Sequence, residues 1–456
     1  MIDLAEFNNQ RILILGLGRE GLATLHLFLD HLSNIDLTVA DQKPLDQLNP
    51  IAQEFLTAHP QLHQQLGTDY LNHLNSFDTI FRSPGIPPFL PELQSADIKS
   101  KLSSETKLFF AKFPGTIIGI TGSKGKSTTT KLIYDILTHA GKSAVLVGNI
   151  GEPAIKVLPT TTADTIAVYE LSSHQLYDLD QSPHIAVLLN IFPEHLDYYP
   201  DFDTYKQAKA NIAMHQSPTD YLIYDPGNSS LQNIVSQSKA KQIHVGTPKG
   251  SVLIQDQTIF TNSDNQLQPV ISMADIPLLG NHNLINVIHA IAATSLLDVS
   301  PSQQAEAIKS FQPLPHRLQP VGEYRGIKFY NDSLSTNPEA AIQALNAVPQ
   351  VSTLIIGGSD RKRSYEALAQ AIGQSSVTTV IVLAANHQGF TTPLQQFASQ
   401  VKILSAQNMS QAVSMAYQHT PPGSTCLLSP GAPSFDLFTD YQDRGHQFIE
   451  NIKLLA

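Results

Sequence analysis

The chain has 456 residues, with 28 Lys+Arg against 39 Asp+Glu and a formal charge of −11. That acidic balance argues against a general nucleic-acid or membrane-surface binder, because phosphate-rich partners need a basic footprint. A hydrophobic content of 42% with 15% charged residues excludes wholesale disorder, and the single cysteine, Cys426, excludes an internal disulfide or a Cys-rich metal site.

In chain order, short β-rich runs alternate with helical stretches, the pattern of parallel sheets covered by helices. RILILGLG reads as a buried strand ending in glycines, REGLATLHLFLDHL as an amphipathic helix, DLTVAD and FDTIF as further strands. Prolines 84, 87, 88 and 91 lead to a boundary near residue 100. A second series follows: TIIGITGS (116–123), SAVLVGN (143–149), DTIAVYELS (164–172), HIAVLLNIF (184–192) and YLIYD (221–225). KQIHVG, SVLIQDQTIF and LQPVISM, within 241–277, read as short antiparallel strands inserted in that domain, closed by a helix at 280–297. A third series carries GIKFYNDS, VSTLIIGGSD, VTTVIVLAAN and STCLLSPG. The expected fold is α/β, with three consecutive domains. A Rossmann-like domain spans 1–99, a phosphate-loop ATPase-like domain with a small antiparallel insertion spans 100–297, and a second Rossmann-like domain spans 298–456. The N-terminus lacks an apolar signal core and no run approaches a membrane span, so a cytoplasmic protein is expected, with no nucleic-acid or membrane partner.

The sharpest motif is GITGSKGKSTTTKLIYDIL, a strand, a Gly-rich loop and a helix. Backbone N–H groups of Gly122, Ser123, Lys124, Gly125 and Thr128 suit an anion cradle at the helix N-terminus. Lys126 suits the outer phosphates and Ser127 a Mg²⁺ ion. Ile120 stands where the general pattern has its first glycine, so the match is to a variant loop. Gly16, Leu17, Gly18, Arg19, Glu20 and Gly21 form a second strand–loop–helix fingerprint, with Asp41 at the end of the next strand. That layout fits NAD or any nucleotide diphosphate. Glu170 and His195 lie at strand ends beside the phosphate loop, where Mg²⁺ takes oxygen ligands and keeps several waters. Read alone, Lys209 is a solvated helix lysine. Asn283 and Asn286, at a helix start, suit either an adenine edge or a cap. Arg317, Asp332, Arg361 and Lys362 are polar strand-end or linker groups suited to gripping anions or facing solvent.

Together these segments resemble the Mur ligases, the ATP-dependent amino-acid ligases of peptidoglycan precursor synthesis. The resemblance rests on TGSKGKST, GNIG, ELSSHQL, Asn190 and His195, YKQAK, GNHNLIN, LPHR, NDSLSTN, GGSDR and LLSPGAPSFDLFTDYQDRG, in the family's order. The compact GxGxxG domain, SPGI at 83–86 and SPGAPSFDLF followed by RG make the glutamate-adding branch the best match. The resemblance implies ligation of glutamate, D-glutamate foremost, to UDP-N-acetylmuramoyl-L-alanine through an acyl-phosphate. It implies ATP and two Mg²⁺ ions, with small-molecule partners only and a monomer. It assigns Lys126, Glu170, His195 and Lys209 to catalysis, and Ser127, Glu170, His195 and a CO₂-derived carbamate on Lys209 to magnesium. Asn283, Asn286, Arg317 and Asp332 join the loop in binding ATP. The 16–21 loop, Asp41, Ser83, Pro84, Gly85, Asn149 and Ser172 take the UDP-substrate, and Thr336, Arg361, Lys362, Ser434, Phe435 and Tyr441 the glutamate. Leu334 replaces the usual lysine of NDSLSTN. Ligation of L-glutamate, a folylpolyglutamate-synthetase type of amide ligase, and a nicotinamide oxidoreductase or nucleotide sensor using GLGREG alone stay open at this stage.

Overall fold

The computed structural model of the chain describes residues 2–263, 266–359, 364–383, 388–435 and 437–456. They form two compact units, residues 1–275 with 285–309, and 276–284 with 310–456.

The first unit opens with a five-stranded parallel sheet. Its strands are β1 (Arg11–Leu15), β2 (Asp36–Asp41), β3 (His63–Leu66), β4 (Thr79–Arg82) and β5 (Leu102–Ser103), in the order β3-β2-β1-β4-β5. Leu22, Leu25 and Phe28 of the helix Arg19–His31 share a core with Ile12, Ile14 and Val39. Each such side chain contributes about 1.5–3 kcal/mol by leaving water. The second sheet holds β6 (Thr116–Thr121), β7 (Ala144–Gly148), β8 (Ile166–Glu170), β9 (Ile185–Leu188), β10 (Tyr221–Tyr224) and β11 (Lys241–His244), ordered β11-β10-β9-β6-β8-β7 and parallel throughout. The strands β8 and β9 are buried along their whole length. That explains why their sequences are continuous apolar runs rather than alternating ones. The order reverses at β6, so the loops leaving β6, β8 and β9 converge at a switch point where ligands of such sheets sit.

One expectation is corrected here. KQIHVG is not part of the antiparallel insertion: β11 pairs parallel with β10 at the edge of the second sheet. Parallel pairing needs a crossover, and residues 229–235 supply one as short helical turns. The antiparallel insertion is confined to β12 (Val252–Gln255), β13 (Thr258–Ser263) and β14 (Gln266–Ser272). SVLIQDQTIF is a hairpin rather than one strand, because Asp256 and Gln257 take positive φ (47° and 61°), as a tight two-residue turn requires.

The second unit has β15 (Gln319–Tyr324), β16 (Ile327–Asn331), β17 (Val351–Ile356), β18 (Thr379–Leu383), β19 (Lys402–Ala406) and β20 (Thr425–Leu428), ordered β15-β16-β20-β17-β18-β19. Only β15 is antiparallel to its neighbour. Alternate residues feed two cores, Leu354, Ile356, Val380 and Leu427 on one face, Ile355, Ile381, Cys426 and Leu428 on the other.

Candidate active site

The phosphate loop leaves β6 and enters the helix Lys126–His139, anchored by Leu132, Ile133 and Ile136 in the core. Gly125 carries φ +87°, and a Cβ there would run into the Asn286 side chain. Asn190, at the end of β9, pins the loop from the other side. Its Oδ1 accepts from Lys124 N at 2.8 Å and its Nδ2 donates to Lys124 O at 3.0 Å. Ser123 hydrogen-bonds the Tyr205 hydroxyl at 2.8 Å, and its Oγ accepts from Phe192 N at 2.8 Å. Lys126 folds back, donating to the Gly122 and Ser123 carbonyls at 2.8 and 3.0 Å. Lys126 and Ser127 are half-buried. The loop is therefore held in shape by side chains outside it, with its lysine stored on loop carbonyls.

Glu170 ends β8 fully buried. Its Oε1 accepts from Asn149 Nδ2 at 3.1 Å, while its Oε2 is buried without a hydrogen-bond partner. A buried carboxylate oxygen left unpaired is costly, and a hard cation is one group that would satisfy it. Among the described residues no set of three or more His, Cys, Asp and Glu gathers into a cage. The donors present are oxygen-rich and few, which suits Mg²⁺ completed by water and phosphate oxygens. Lys209 is 1% exposed and donates to Thr121 Oγ1 at 3.3 Å and Gly122 O at 2.9 Å. Burial, and then the neighbouring Lys126 charge, hold its amine well below the usual lysine range. This overturns the solvated-lysine reading. His195 adopts φ +56° in an exposed turn, and burial of its ring against neighbours lowers its pKa.

The second site is a cleft of about 400 Å³ lined by residues 16–20, Asp41, Ser83 to Ile86, Gly148, Asn149 and Pro153. Asp41 Oδ2 accepts from Leu17 N at 2.9 Å, so this carboxylate shapes the Gly-rich loop itself. Arg19 donates to Gly151 O at 2.5 Å. Ser83 Oγ donates to Gly16 O at 2.7 Å. Ser172 is not part of that lining: it caps a one-turn helix, its hydroxyl accepting from Gln175 N, and Gln175 Nε2 in turn donates to Glu20 of the loop at 2.8 Å. Asn149 thus faces the cleft while its amide holds Glu170, so it joins the two sites.

Asn286 supports the phosphate loop, its Oδ1 accepting from Thr129 Oγ1 at 3.2 Å. In the second unit, Asn283 donates to Leu279 O at 2.7 Å. Asp332 is buried and accepts from Ser335 Oγ, Ser429 Oγ and Leu318 N; burial pushes its pKa up to about 6. Arg317, Thr336 and Tyr441 are half-buried, Ser434 is buried and Phe435 is exposed. Arg361 and Lys362 lie outside the described residues.

Three family descriptions match the chain: "Mur ligase MurD-like, N-terminal domain" at 10–101, "Mur ligase middle domain" at 120–294 and "Mur ligase, glutamate ligase domain" at 316–431. A UDP-N-acetylmuramoylalanine--D-glutamate ligase of Streptococcus mutans is 36% identical over 465 residues, covering 100% of this chain and 99% of that protein. One from Symbiobacterium thermophilum is 31% identical over 98% of each. The chain belongs to the Mur ligase family. Solved Mur ligases share its fold: the MurF ligase of Thermotoga maritima in complex with ADP aligns with TM-score 0.59 at 14% identity, covering 100% of this chain and 98% of that one. MurC from the same organism aligns at 0.60 and 16%, covering 98% and 100%.

Three residues of this Mur ligase escaped the sequence reading. Asn190 entered only as part of a spacing, yet it fixes the phosphate loop. His174, inside ELSSHQL, packs edge-on against His195 with centroids 4.9 Å apart, and burial lowers its pKa to about 4. Arg444, in the terminal RG pair, is fully buried and donates to the Ser333, Gly357 and Ala432 carbonyls. Its motif was visible; its burial was not.

Proposed function

We propose that this Mur ligase uses ATP to join D-glutamate to UDP-N-acetylmuramoyl-L-alanine in peptidoglycan precursor synthesis. The observation that carries the reading is the Asn149–Glu170 contact, where a nucleotide-sized cleft meets a phosphate loop at one buried carboxylate. Residues 1–99 take the sugar-nucleotide, 100–297 the ATP and 298–456 the amino acid. The Gly-rich loop at 16–21, with Ser83 to Gly85, Asn149 and Ser172, holds the UDP-substrate. The 122–128 loop, Asn283, Asn286, Arg317 and Asp332 hold ATP, and Lys126 turns from the loop carbonyls to the outer phosphates. Ser127, Glu170, His195 and Lys209 as its carbamate would hold Mg²⁺, two ions in all, which offset phosphate charge when bound.

The alanine carboxylate attacks the γ-phosphorus, forming the acyl-phosphate and releasing ADP. The glutamate amine, freed of its proton, then attacks the acyl carbon and phosphate leaves. Lys126 and the loop N–H groups stabilise charge at the transferring phosphoryl group. Thr336, Ser434, Phe435, Tyr441, Arg361 and Lys362 orient the glutamate. The substrates are small and soluble, which suits a cytoplasmic monomer.

The test measures ADP release with ATP, Mg²⁺ and UDP-N-acetylmuramoyl-L-alanine, with D- or L-glutamate. Release dependent on D-glutamate is expected; its absence overturns the reading. Lys126→Ala should abolish turnover while leaving UDP-substrate affinity within about twofold, since uniform binding through the cleft is untouched.

A further inference from the structure

The cleft wall at Ser83 to Ile86 is tied to the His195 turn by one side chain with no assigned role. Tyr198 Oη donates to Pro84 O at 2.8 Å and lies 3.2 Å from Ile86 O. The buried Arg82 supports the same wall, donating to Ile86 O at 2.6 Å and pairing with Asp178 at 3.2 Å. The backbone N–H groups of Tyr198 and Tyr199 both donate to His195 O, at 3.0 and 2.9 Å. The Tyr198 ring packs edge-on against His174, with centroids 4.1 Å apart, and His174 in turn meets the His195 ring. The hydroxyl of this side chain thus touches the cleft wall, while its ring packs on His174, the neighbour of the His195 ring.

We propose that Tyr198 is a positioning residue, which holds the sugar-nucleotide wall in register with the His195 turn through its hydroxyl. The proposal rests on the ligase reading for the identity of the substrate. Burial lifts the phenol pKa to about 12, so the hydroxyl keeps its proton and remains a donor throughout the working range.

Tyr198→Phe removes the hydroxyl and keeps the ring on His174. A neutral hydrogen bond of ordinary strength corresponds to a weakening of about 3- to 10-fold. Calorimetric Kd for UDP-N-acetylmuramoyl-L-alanine should rise by that factor, and KM for the same substrate with it. KM for ATP should stay within twofold and the melting midpoint within about 2 °C. An unchanged sugar-nucleotide Kd overturns the inference, as does equal weakening toward ATP, which marks a general structural role. The Kd reading does not depend on turnover. Wild-type enzyme that binds the sugar-nucleotide but releases no ADP with D-glutamate would therefore defeat the ligase reading alone.

Discussion

Lys209 shows at a single residue what the sequence hides. YKQAKANI is an ordinary amphipathic helix, and nothing in its spacing says that Lys209 is 1% exposed beside Tyr205, Ala208 and Ile212. The burial comes from the docking of the helix onto β6 and the phosphate loop, a long-range fact. Only the family resemblance pointed to this lysine. Its burial supports the carbamate reading: lowering the amine's pKa favours the free base, the form that attacks CO₂ to give R–NH–COO⁻ and a proton. Lys209→Ala should lower kcat by at least about 100-fold, the scale of losing one charge-stabilising group. Added formate or acetate should restore part of it by filling the carbamate's place. Near wild-type rate without rescue would return Lys209 to packing. Glu170 was easier to read, because a strand-end carboxylate next to a phosphate loop has few structural uses.

At the scale of elements, Glu20 was legible as part of the 16–21 loop, whereas its relation to Glu105 was not. The two carboxyls, from the helix after β1 and the helix before β6, line one small cavity with Arg82 and Ser83. Glu20 Oε1 accepts from Gln175 Nε2 at 2.8 Å, and its Oε2 is unpaired. Glu105 accepts from Ile155 N at 2.6 Å and from the Tyr169 hydroxyl at 3.3 Å. Burial, opposed by Gln175, Arg19 and Arg82, raises Glu20 to about 7. Burial and the Glu20 charge raise Glu105 to about 8. Both folded values exceed the unfolded one. Between about pH 4.5 and 8 the native state therefore holds protons the unfolded chain has released, and stability falls as pH rises through that window. His174 and His289, each lowered to about 4, act in the opposite sense below about pH 6.5. The test is thus the difference between Glu105→Gln and wild type. The variant's melting midpoint should decline less from pH 5 to pH 8.5. Parallel curves would show that the pair does not share protons in the folded state.

At the scale of the whole molecule, the parallel sheet centres were readable because full burial writes itself as unbroken apolar runs. Edges were less so: β3, β15 and β19 went unread and β11 was read as a strand but with the wrong pairing, because these strands are half-exposed or polar. Loop geometry was legible only through glycines, so the buried polar groups that brace loops were missed. Arg444 is the strongest case. Its guanidinium holds the ends of β16, β17 and β20 together by donating to Ser333 Oγ at 3.0 Å and to three loop carbonyls. Arg444→Met keeps the volume and strands those acceptors in the interior. Leaving a buried acceptor unsatisfied costs about 1–3 kcal/mol, so stranding several of them costs about 3–5 kcal/mol. Each unit has its own core, so the loss falls on the second unit alone. For a domain of this size it lowers the midpoint by roughly 6–20 °C. Calorimetry should then show an early transition split from an unmoved later one. Affinity for the UDP-substrate, proposed for the cleft at 16–20, should stay within about twofold of wild type, because the residues lining that cleft all lie in the first unit. A single transition shifted as a whole would show that the two units unfold as one.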